Sequence, residues 1–258
     1  MKKRIALLTL SIVLLVSCSQ EHSTNKTSTD GNLISNNQKA TGTSANDLLS
    51  DATFKSMFVE VVYVQGFEPS ASSINNFVSF LNARANKPGG ITVKKRAIAS
   101  TGKATYTNQD IVDIEDANRT EYNSSNQIAV WAFFADGESA SNTDTEVVLG
   151  TAYRNTSFVI YEETIHGLSD SPFEPKRSLI ETTVITHEFG HILGLTNLGS
   201  ALQSNHEDTA HAKHCNEESC LMYWSAETGS GIANMISGGS APQLDAQCIA
   251  DLRANGGK

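Results

Sequence analysis

Hydrophobic and polar positions repeat with two different periods along the folded part of the chain. Apolar runs of strand length, rich in β-branched and aromatic residues, occur at residues 58–67 (FVEVVYVQGF) and 127–136 (QIAVWAFFAD). Such runs are typical of buried strands. Residues 69–85 instead carry apolar side chains at helical spacing, which predicts an amphipathic helix. These side chains are Ile74, Phe77, Val78 and Leu81.

Further strands and a second helix complete the pattern. Residues 91–98 (ITVKKRAI), 147–154 (VVLGTAYR) and 157–164 (SFVIYEET) have strand character, and a short helix is predicted near residues 110–120. Strand, helix, several strands and then a long helix is the order expected of a twisted sheet with helices packed on it. The sequence therefore predicts a mixed α/β (α+β) fold, with residues 51–258 forming one domain.

A long helix is predicted between residue 171 and Leu193. The sequence SPFE at residues 171–174 has the form of a capping box with proline in the first helical position. Pro175 is tolerable in the first turn, because the first four amides of a helix have no intrahelical partner. From there to Leu193 nothing breaks a helix except Gly190, and Gly194 supplies a C-terminal stop.

His187 and His191 lie four residues apart in this helix, within the sequence HEFGH. Their imidazoles project from one face, one turn apart, and can reach one metal ion. Neutral imidazoles hold Zn²⁺ without cancelling its charge, so the ion lowers the pKa of a bound water to about 7. Glu188 is the carboxylate that can take a proton from that water. The pattern predicts a catalytic zinc site; a surface helix with these residues by chance is the alternative.

The third ligand is not identified by the residues alone. This pattern usually continues to a ligand three residues after the glycine, where the chain has Asn197, a poor zinc ligand. A longer loop can fold back onto the helix at little extra cost in closure entropy. The following segment offers three histidines and a carboxylate, which zinc also accepts: His206, His211, His214 and Asp208.

The helix motif followed by a methionine resembles the metzincin clan of zinc peptidases, in which a turn containing methionine lies beneath the metal. More narrowly, the sequence HCNEESCLM at residues 214–222 is similar to the archaemetzincin signature, where the third zinc histidine directly precedes a cysteine. The chain departs from that signature in having some seventeen extra residues before His214.

This resemblance implies a metzincin-like twisted mixed sheet, a long active-site helix and a Met-turn C-terminal subdomain. It implies a zinc-dependent endopeptidase with one catalytic Zn²⁺ and a peptide or protein substrate. The implied zinc ligands are His187, His191 and His214, with Glu188 as the general base and Met222 as the Met-turn residue. The family also holds a second zinc with four cysteines.

Three cysteines lie in the C-terminal part of the chain, at Cys215, Cys220 and Cys248. In an oxidising compartment one pair is expected to form a disulfide and to leave one thiol over. The alternative is a contribution to a second, structural zinc, which normally needs four ligands.

The N-terminus indicates export. Residues 1–17 combine a basic start with a twelve-residue, mostly apolar run that is too short to span a bilayer and fits a signal peptide. The run ends at Cys18 and resembles a bacterial lipobox, which implies a lipid on Cys18 and anchoring to a membrane of the cell envelope. An ordinary secretory signal is the alternative. Residues 18–50 are polar and are predicted to be a flexible tether.

Charge narrows the range of partners. Without residues 1–17 the chain has 16 basic against 28 acidic side chains, which argues against a nucleic-acid partner. Two alternatives to a peptidase remain open. One is a non-catalytic, zinc-stabilised surface lipoprotein that binds a partner, which a closed four-ligand zinc site would favour. The other is hydrolysis of a non-peptide amide.

Overall fold

The computed structural model describes residues 34–237 and 239–258. The predicted signal peptide, Cys18 and the first part of the predicted tether lie outside these residues. The strands in chain order are β1 Ser56–Val64, β2 Ile91–Ile98, β3 Thr105–Tyr106, β4 Gln127–Ala135, β5 Glu138–Ser139, β6 Gly150–Arg154 and β7 Ser157–Tyr161.

Helices lie before, between and after these strands. In chain order they are α1 Ala45–Leu49, α2 Ala71–Arg84, α3 Asn108–Asn118, α4 Glu162–Gly167, α5 Arg177–Ile192, α6 Gly229–Met235 and α7 Ala246–Ala254, with a 3₁₀ turn at Trp224–Glu227. Within the described residues, no helix is long and apolar enough to cross a membrane.

Five of the strands form one sheet, in the order β2-β1-β4-β7-β6. The first four strands of that order are parallel to one another, and β6 pairs antiparallel with β7 at the edge. The short strands β3 and β5 form a separate parallel pair. The predicted mixed α/β fold is confirmed.

The central strand β4 shows why the sequence reads as a continuous apolar run there. Every residue of β4 after Gln127 is buried. Val130 and Phe134 pack on the side of the sheet that carries α2 and α5. Trp131 and Phe133 pack on the opposite side with α3. Both faces of the sheet are covered by helices, so both sets of alternating side chains must be apolar.

An aromatic cluster fastens the long helix α5 to the sheet. Phe189 of α5 meets Phe77 of α2 at a ring-centroid distance of 5.1 Å and Phe158 of β7 at 6.3 Å, both edge to face. Each ring is fully buried. Burial of this size stabilises the packing by several kcal/mol, about 3–5 kcal/mol for each phenylalanine truncated to alanine. The helix is therefore held against the sheet directly beside Glu188.

The start of α5 differs from the prediction. The helix begins at Arg177, and residues 171–174 form a separate turn, in which Ser171 N–H donates to the Glu174 carboxylate at 3.0 Å. The local contact of a capping box is present, but Pro175 disfavours helical backbone at the residue before it, so the helix starts later. The N-cap residue Lys176 makes no side-chain cap, and Asp170 accepts a hydrogen bond from the Arg177 N–H at 3.1 Å, which satisfies one of the free N–H groups of the first turn.

Residues 34–50 pack on the domain, whereas their polar composition predicts a flexible tether. Leu48 and Leu49 of α1 are fully buried in the core. Asn37 is also buried, and its side-chain amide donates to the Ala129 carbonyl of β4 at 3.0 Å and to the Asn123 side chain at 2.9 Å. A few buried apolar side chains and one amide with all its hydrogen bonds formed hold this segment on the domain. The average composition of the segment does not reveal these individual contacts.

We expect Asn37→Ala to lower the free energy of unfolding by about 1–3 kcal/mol, because the substitution leaves buried backbone and side-chain groups without partners. Urea denaturation measures the difference. Asn36→Ala is the matched control, since among residues 34–237 and 239–258 the Asn36 side chain forms no hydrogen bond and only its backbone carbonyl accepts one, from Asn155. The effect of this control should stay within about 0.5 kcal/mol. Equal stability of the two variants would contradict the packing described for this segment.

Candidate metal centre

The last two turns of α5 carry His187 and His191, whose Nε2 atoms lie 3.1 Å apart. The Nδ1 atom of His187 is 2.7 Å from the Leu221 carbonyl oxygen, and that of His191 is 3.1 Å from the Leu195 carbonyl oxygen. A carbonyl only accepts hydrogen bonds, so both Nδ1 atoms carry the proton. Both Nε2 lone pairs therefore face one point, as in histidines that bind a metal.

His214 joins the pair from the segment after the helix. Its ring centroid lies 5.4 Å from that of His187 and 5.0 Å from that of His191. Both ring nitrogens of His214 are buried and form no hydrogen bond within the described part of the chain. A buried polar nitrogen without a partner is costly, and a metal ion at the shared point would satisfy Nε2. The structure thus brings together the three histidines that the sequence motif names.

The residues between the helix and His214 form an excursion that is closed at its neck. Thr196 donates to the Lys213 carbonyl through its backbone N–H at 3.1 Å and through its hydroxyl at 3.0 Å. Asn197 adopts left-handed backbone with φ of 61° and donates its side-chain amide to Glu207. The chain therefore leaves the metal centre at residue 196 and returns to it at residue 213, directly before His214.

The other ligand candidates lie elsewhere. His211 is exposed, hydrogen-bonds Asp208 at 2.8 Å, and stacks on Trp224 with a centroid distance of 4.3 Å. His206 is buried among cysteines, in a different group of possible ligands. Neither His206 nor His211 therefore reaches His187 and His191 on α5. Asp208 is hydrogen-bonded to His211 and does not reach them either.

Glu188 is fully enclosed beside strand β6. A Cβ atom added to Gly150 would lie only 2.7 Å from Glu188 Cγ, so this position of the strand requires glycine. Burial and then the charge of Glu227 raise the pKa of Glu188 well above its ordinary value, and a backbone hydrogen bond from Ala152 acts in the opposite direction. Glu188 lines the same cleft as His191 and His214.

The glycine inside the helix motif has a packing role. A Cβ atom at Gly190 would lie 2.3 Å from the Met222 sulfur, so the chain that carries Met222 passes directly against the helix. Glycine within a helix costs about 1 kcal/mol relative to alanine. The glycine lets the chain at Met222 lie close against the helix, and this close packing brings the Leu221 carbonyl to the His187 ring.

Glu227 is a member of the cluster that the sequence gives no reason to select. Its carboxylate lies 3.3 Å from His214 Nε2, 3.6 Å from His187 Nε2 and 3.9 Å from His191 Nε2. Burial alone would raise the pKa of Glu227, but its interactions with the histidines outweigh burial and hold the pKa below the ordinary value. No motif spacing marks this position; only the 3₁₀ turn after Met222 brings it to the site.

Burial also affects His191. Desolvation and the neighbouring His187 lower the pKa of His191 to about 3. The imidazole is therefore neutral at ordinary pH, which is the form that binds a metal.

The cluster opens onto a cleft of about 430 Å³. One wall is the edge strand β6, with Gly150, Thr151 and Ala152. Thr41 of the N-terminal segment also lines the cleft and donates its hydroxyl to the Ala152 carbonyl at 3.1 Å. The N-terminal segment therefore takes part in shaping the cleft.

The cysteines form a second cluster, and the predicted disulfide is wrong. Cys215, Cys220 and Cys248 are free and buried. The Cys220 and Cys248 sulfurs are 3.6 Å apart, well beyond the S–S bond length of about 2.05 Å. Hydrogen bonds among the three thiols lower the pKa of Cys220 and raise the pKa of Cys248, so Cys220 is the thiol that loses its proton first. Thiolates are the form of cysteine that zinc binds.

His206 supplies a nitrogen to this second cluster. Its Nδ1 is 3.4 Å from the Cys215 sulfur and 4.0 Å from the Cys248 sulfur. Its Nε2 is 2.8 Å from the fully buried carboxylate of Asp251. A histidine with one nitrogen toward sulfurs and the other on a carboxylate has the arrangement of a metal ligand with its outer partner.

Asp245 also lies within ligand distance of this cluster. One of its oxygens accepts the Cys248 N–H at 2.7 Å and caps α7, which commits that oxygen. Backbone N–H groups of Met222 and Asp245 point at the Cys220 sulfur at 3.4 Å, an arrangement that stabilises a thiolate. The ligand atoms that lie within 4.8 Å of one another come from His206, Cys215, Asp245 and Cys248. The second oxygen of Asp245 lies 3.5 Å from the Cys215 sulfur, and Cys220 lies beside this group with its sulfur 3.6 Å from that of Cys248.

Comparison with known proteins gives a likeness of fold. No protein-family model matches the sequence, and no curated protein matches it. Archaemetzincin from Methanopyrus kandleri is similar over 78% of this chain and 96% of its own, with 17% identity and a TM-score of 0.51. Metalloproteinase-II from Bacteroides fragilis is similar over 81% of this chain and 60% of its own, with 14% identity and a TM-score of 0.40. The chain therefore shares the fold of the archaemetzincin structure.

Proposed function

We propose that this protein is a zinc-dependent endopeptidase that uses His187, His191 and His214 as metal ligands and Glu188 as general base. One observation carries the proposal: three histidines from two separate segments direct their rings to one point, beside a buried carboxylate and within an open cleft. The donor set of three imidazoles is the one that catalytic zinc uses, with further positions left for water or substrate.

Zinc in this site would supply a Lewis acid for the scissile carbonyl and for the attacking water. The residues of the chain would do the rest. Glu188 accepts the proton of the water and passes it to the leaving amine. The carbonyls of Leu221 and Leu195 hold His187 and His191 in the tautomer that presents Nε2.

The edge strand β6 is the place where a peptide substrate would lie. Its partner β7 covers only one side. At Ala152 the carbonyl already accepts the Thr41 hydroxyl and the backbone N–H bonds Glu188, so an added strand would have to displace these two contacts to pair there. Gly150 to Ala152 line the cleft beside Glu188. A peptide in extended conformation would pair with this edge and place a carbonyl group near the histidines.

The second cluster would hold a structural zinc. His206, Cys215 and Cys248 supply three buried donors, and either Cys220 or the second oxygen of Asp245 would complete a closed set of four, whereas catalytic sites keep a position open. In a tetrahedral site with Zn–S of about 2.3 Å and Zn–N of about 2.0 Å, donor atoms are about 3.5–3.8 Å apart. The separations of 3.4, 3.6 and 4.0 Å lie close to those values.

We also propose export and lipid anchoring at a bacterial membrane. The support is the sequence alone: the basic and apolar start, followed by Cys18. A substrate would then be a peptide or protein of the cell envelope or its surroundings.

A non-catalytic protein that binds a partner is the second candidate function. The observation that favours it is Glu227, which gives the first cluster four donors rather than three. The open cleft favours catalysis, since a purely structural ion needs no access from solvent.

Glu188→Gln should reduce peptide hydrolysis by about 10²- to 10⁴-fold, because an amide cannot accept the proton of the attacking water. Zinc content should stay unchanged, since Glu188 is not proposed as a ligand. Rates on a fluorogenic peptide library and metal analysis give the two readouts. Glu146→Gln is the control, because Glu146 lines the same cleft and belongs to neither ligand group. Full activity of Glu188→Gln would refute the proposed mechanism.

The wild-type chain should bind two zinc ions, and His206→Ala should lose the one held by the cysteines. Loss of a ligand exposes the thiols, so Cys215, Cys220 and Cys248 should react faster with a thiol reagent in this variant. Metal analysis and the reaction rate measure both effects. His211→Ala is the control, since His211 is exposed and should not change either value. One zinc and three reactive thiols in the wild type would disprove the second site.

A further inference from the structure

We infer that Glu227 is a fourth protein ligand of the ion held by His187, His191 and His214, and that substrate must displace it. The resting site is then closed by the chain itself. This inference deepens the proposed function and rests on it for the catalytic consequence, whereas the ligand role of Glu227 can be tested independently of hydrolysis.

The distances around Glu227 distinguish a ligand from a simple ion pair. Charge-assisted hydrogen bonds between a ring nitrogen and a carboxylate are about 2.7–2.9 Å long. The carboxylate of Glu227 approaches no histidine that closely; its separations from the three Nε2 atoms are 3.3, 3.6 and 3.9 Å. It faces all three rings without forming a short bond to any of them.

Those separations are the ones that a shared ion produces. With Zn–N and Zn–O bonds of about 2.0–2.2 Å, the ligand atoms of a tetrahedral site lie about 3.3–3.6 Å apart. The Nε2 atoms of His187 and His191 are 3.1 Å apart. Oε1 of Glu227 is the atom 3.3 Å from His214, and Oε2 is the atom 3.6 and 3.9 Å from His187 and His191, so the two carboxylate oxygens together occupy the fourth corner beside the three histidines. The fourth corner is the one that catalytic sites leave to water.

The backbone of Glu227 is fixed while its side chain has room to move. The Glu227 carbonyl accepts the Leu149 N–H at 3.0 Å, and Thr228 bridges to Val148 beside strand β6. The Glu227 side chain is 29% exposed and lines the cleft, whereas those of His187, His191 and His214 are at most 11% exposed. The carboxylate can therefore rotate into the cleft without any change in the sheet or the helix.

This arrangement implies a particular resting state. With Glu227 on the ion, no position remains for the attacking water, and the carboxylate reduces the positive charge that the ion presents. A substrate paired along β6 would bring its carbonyl oxygen to the same corner and would replace Glu227. Binding of the rest of the peptide would then offset the free energy needed to displace Glu227. Short or poorly fitting substrates supply less binding energy, so their hydrolysis would be suppressed.

Cobalt substitution and azide binding test the ligand role without reference to hydrolysis. In the full chain loaded with Co²⁺, Glu227→Ala and Glu227→Gln should alter the visible absorption and bind azide at least about tenfold more tightly than the wild type, because a corner is freed. Zinc affinity, measured by competition with a chelator, should fall by about 10- to 100-fold or more, since even outer-shell partners contribute that much.

Glu146→Ala is the matched control, a carboxylate of the same cleft outside the ligand group. It should leave azide and zinc binding as in the wild type. The glutamine variant keeps the volume of Glu227, so the test survives if the alanine variant does not fold. Equal azide affinity in the wild type and Glu227→Gln, with unchanged zinc affinity, would overturn the inference.

Hydrolysis separates this inference from the proposed function. If Glu227 is displaced by substrate, Glu227→Gln should raise kcat/KM most for short peptides, for which little binding energy is available to open the site. If azide binding changes as expected but no variant hydrolyses any peptide, the ligand role stands and the peptidase function fails. If peptides are cleaved but azide binding does not change, the peptidase function stands and the ligand role fails.

Discussion

The contact between Gly190 and Met222 sets the distance between the long helix and the chain that passes beneath it. Because no Cβ stands between them, the Leu221 carbonyl reaches the Nδ1 of His187 and fixes the tautomer of that ring. The aromatic cluster around Phe189 presses the same helix onto the sheet from the other side. The helix, the sheet and the turn at Met222 thus meet at the candidate metal ligands.

The two clusters of metal-binding residues are mechanically linked. His214 belongs to the first cluster and the adjacent Cys215 to the second, and Cys220 lies two residues before Met222. An ion in the second cluster would therefore hold both ends of the segment from His214 to Met222. The first cluster depends on that segment for its third histidine and for the carbonyl that orients His187. The geometry of the first cluster therefore depends on correct folding of the second.

The sequence predicts what depends on local spacing and misses what depends on distant contacts. The strands of the sheet follow from their β-branched and aromatic runs, and the pair on α5 follows from the four-residue spacing of His187 and His191. His214 was named only through resemblance. The place of Glu227 beside the three histidines and the place of His206 among the cysteines could not be found, because the turns that bring these residues to their clusters have no periodic pattern. The packing of Asn37 was missed because one saturated amide is invisible in average composition.

The excursion between residues 196 and 213 is closed at its neck by the two hydrogen bonds from Thr196 to Lys213. The number of residues beyond such a neck is independent of where the chain re-enters the metal centre, and added length costs little closure entropy. The length of this segment can therefore differ without moving His214. In this chain the segment also carries His206 to the cysteines, so the residues that return the chain to one cluster contribute a side chain to the other.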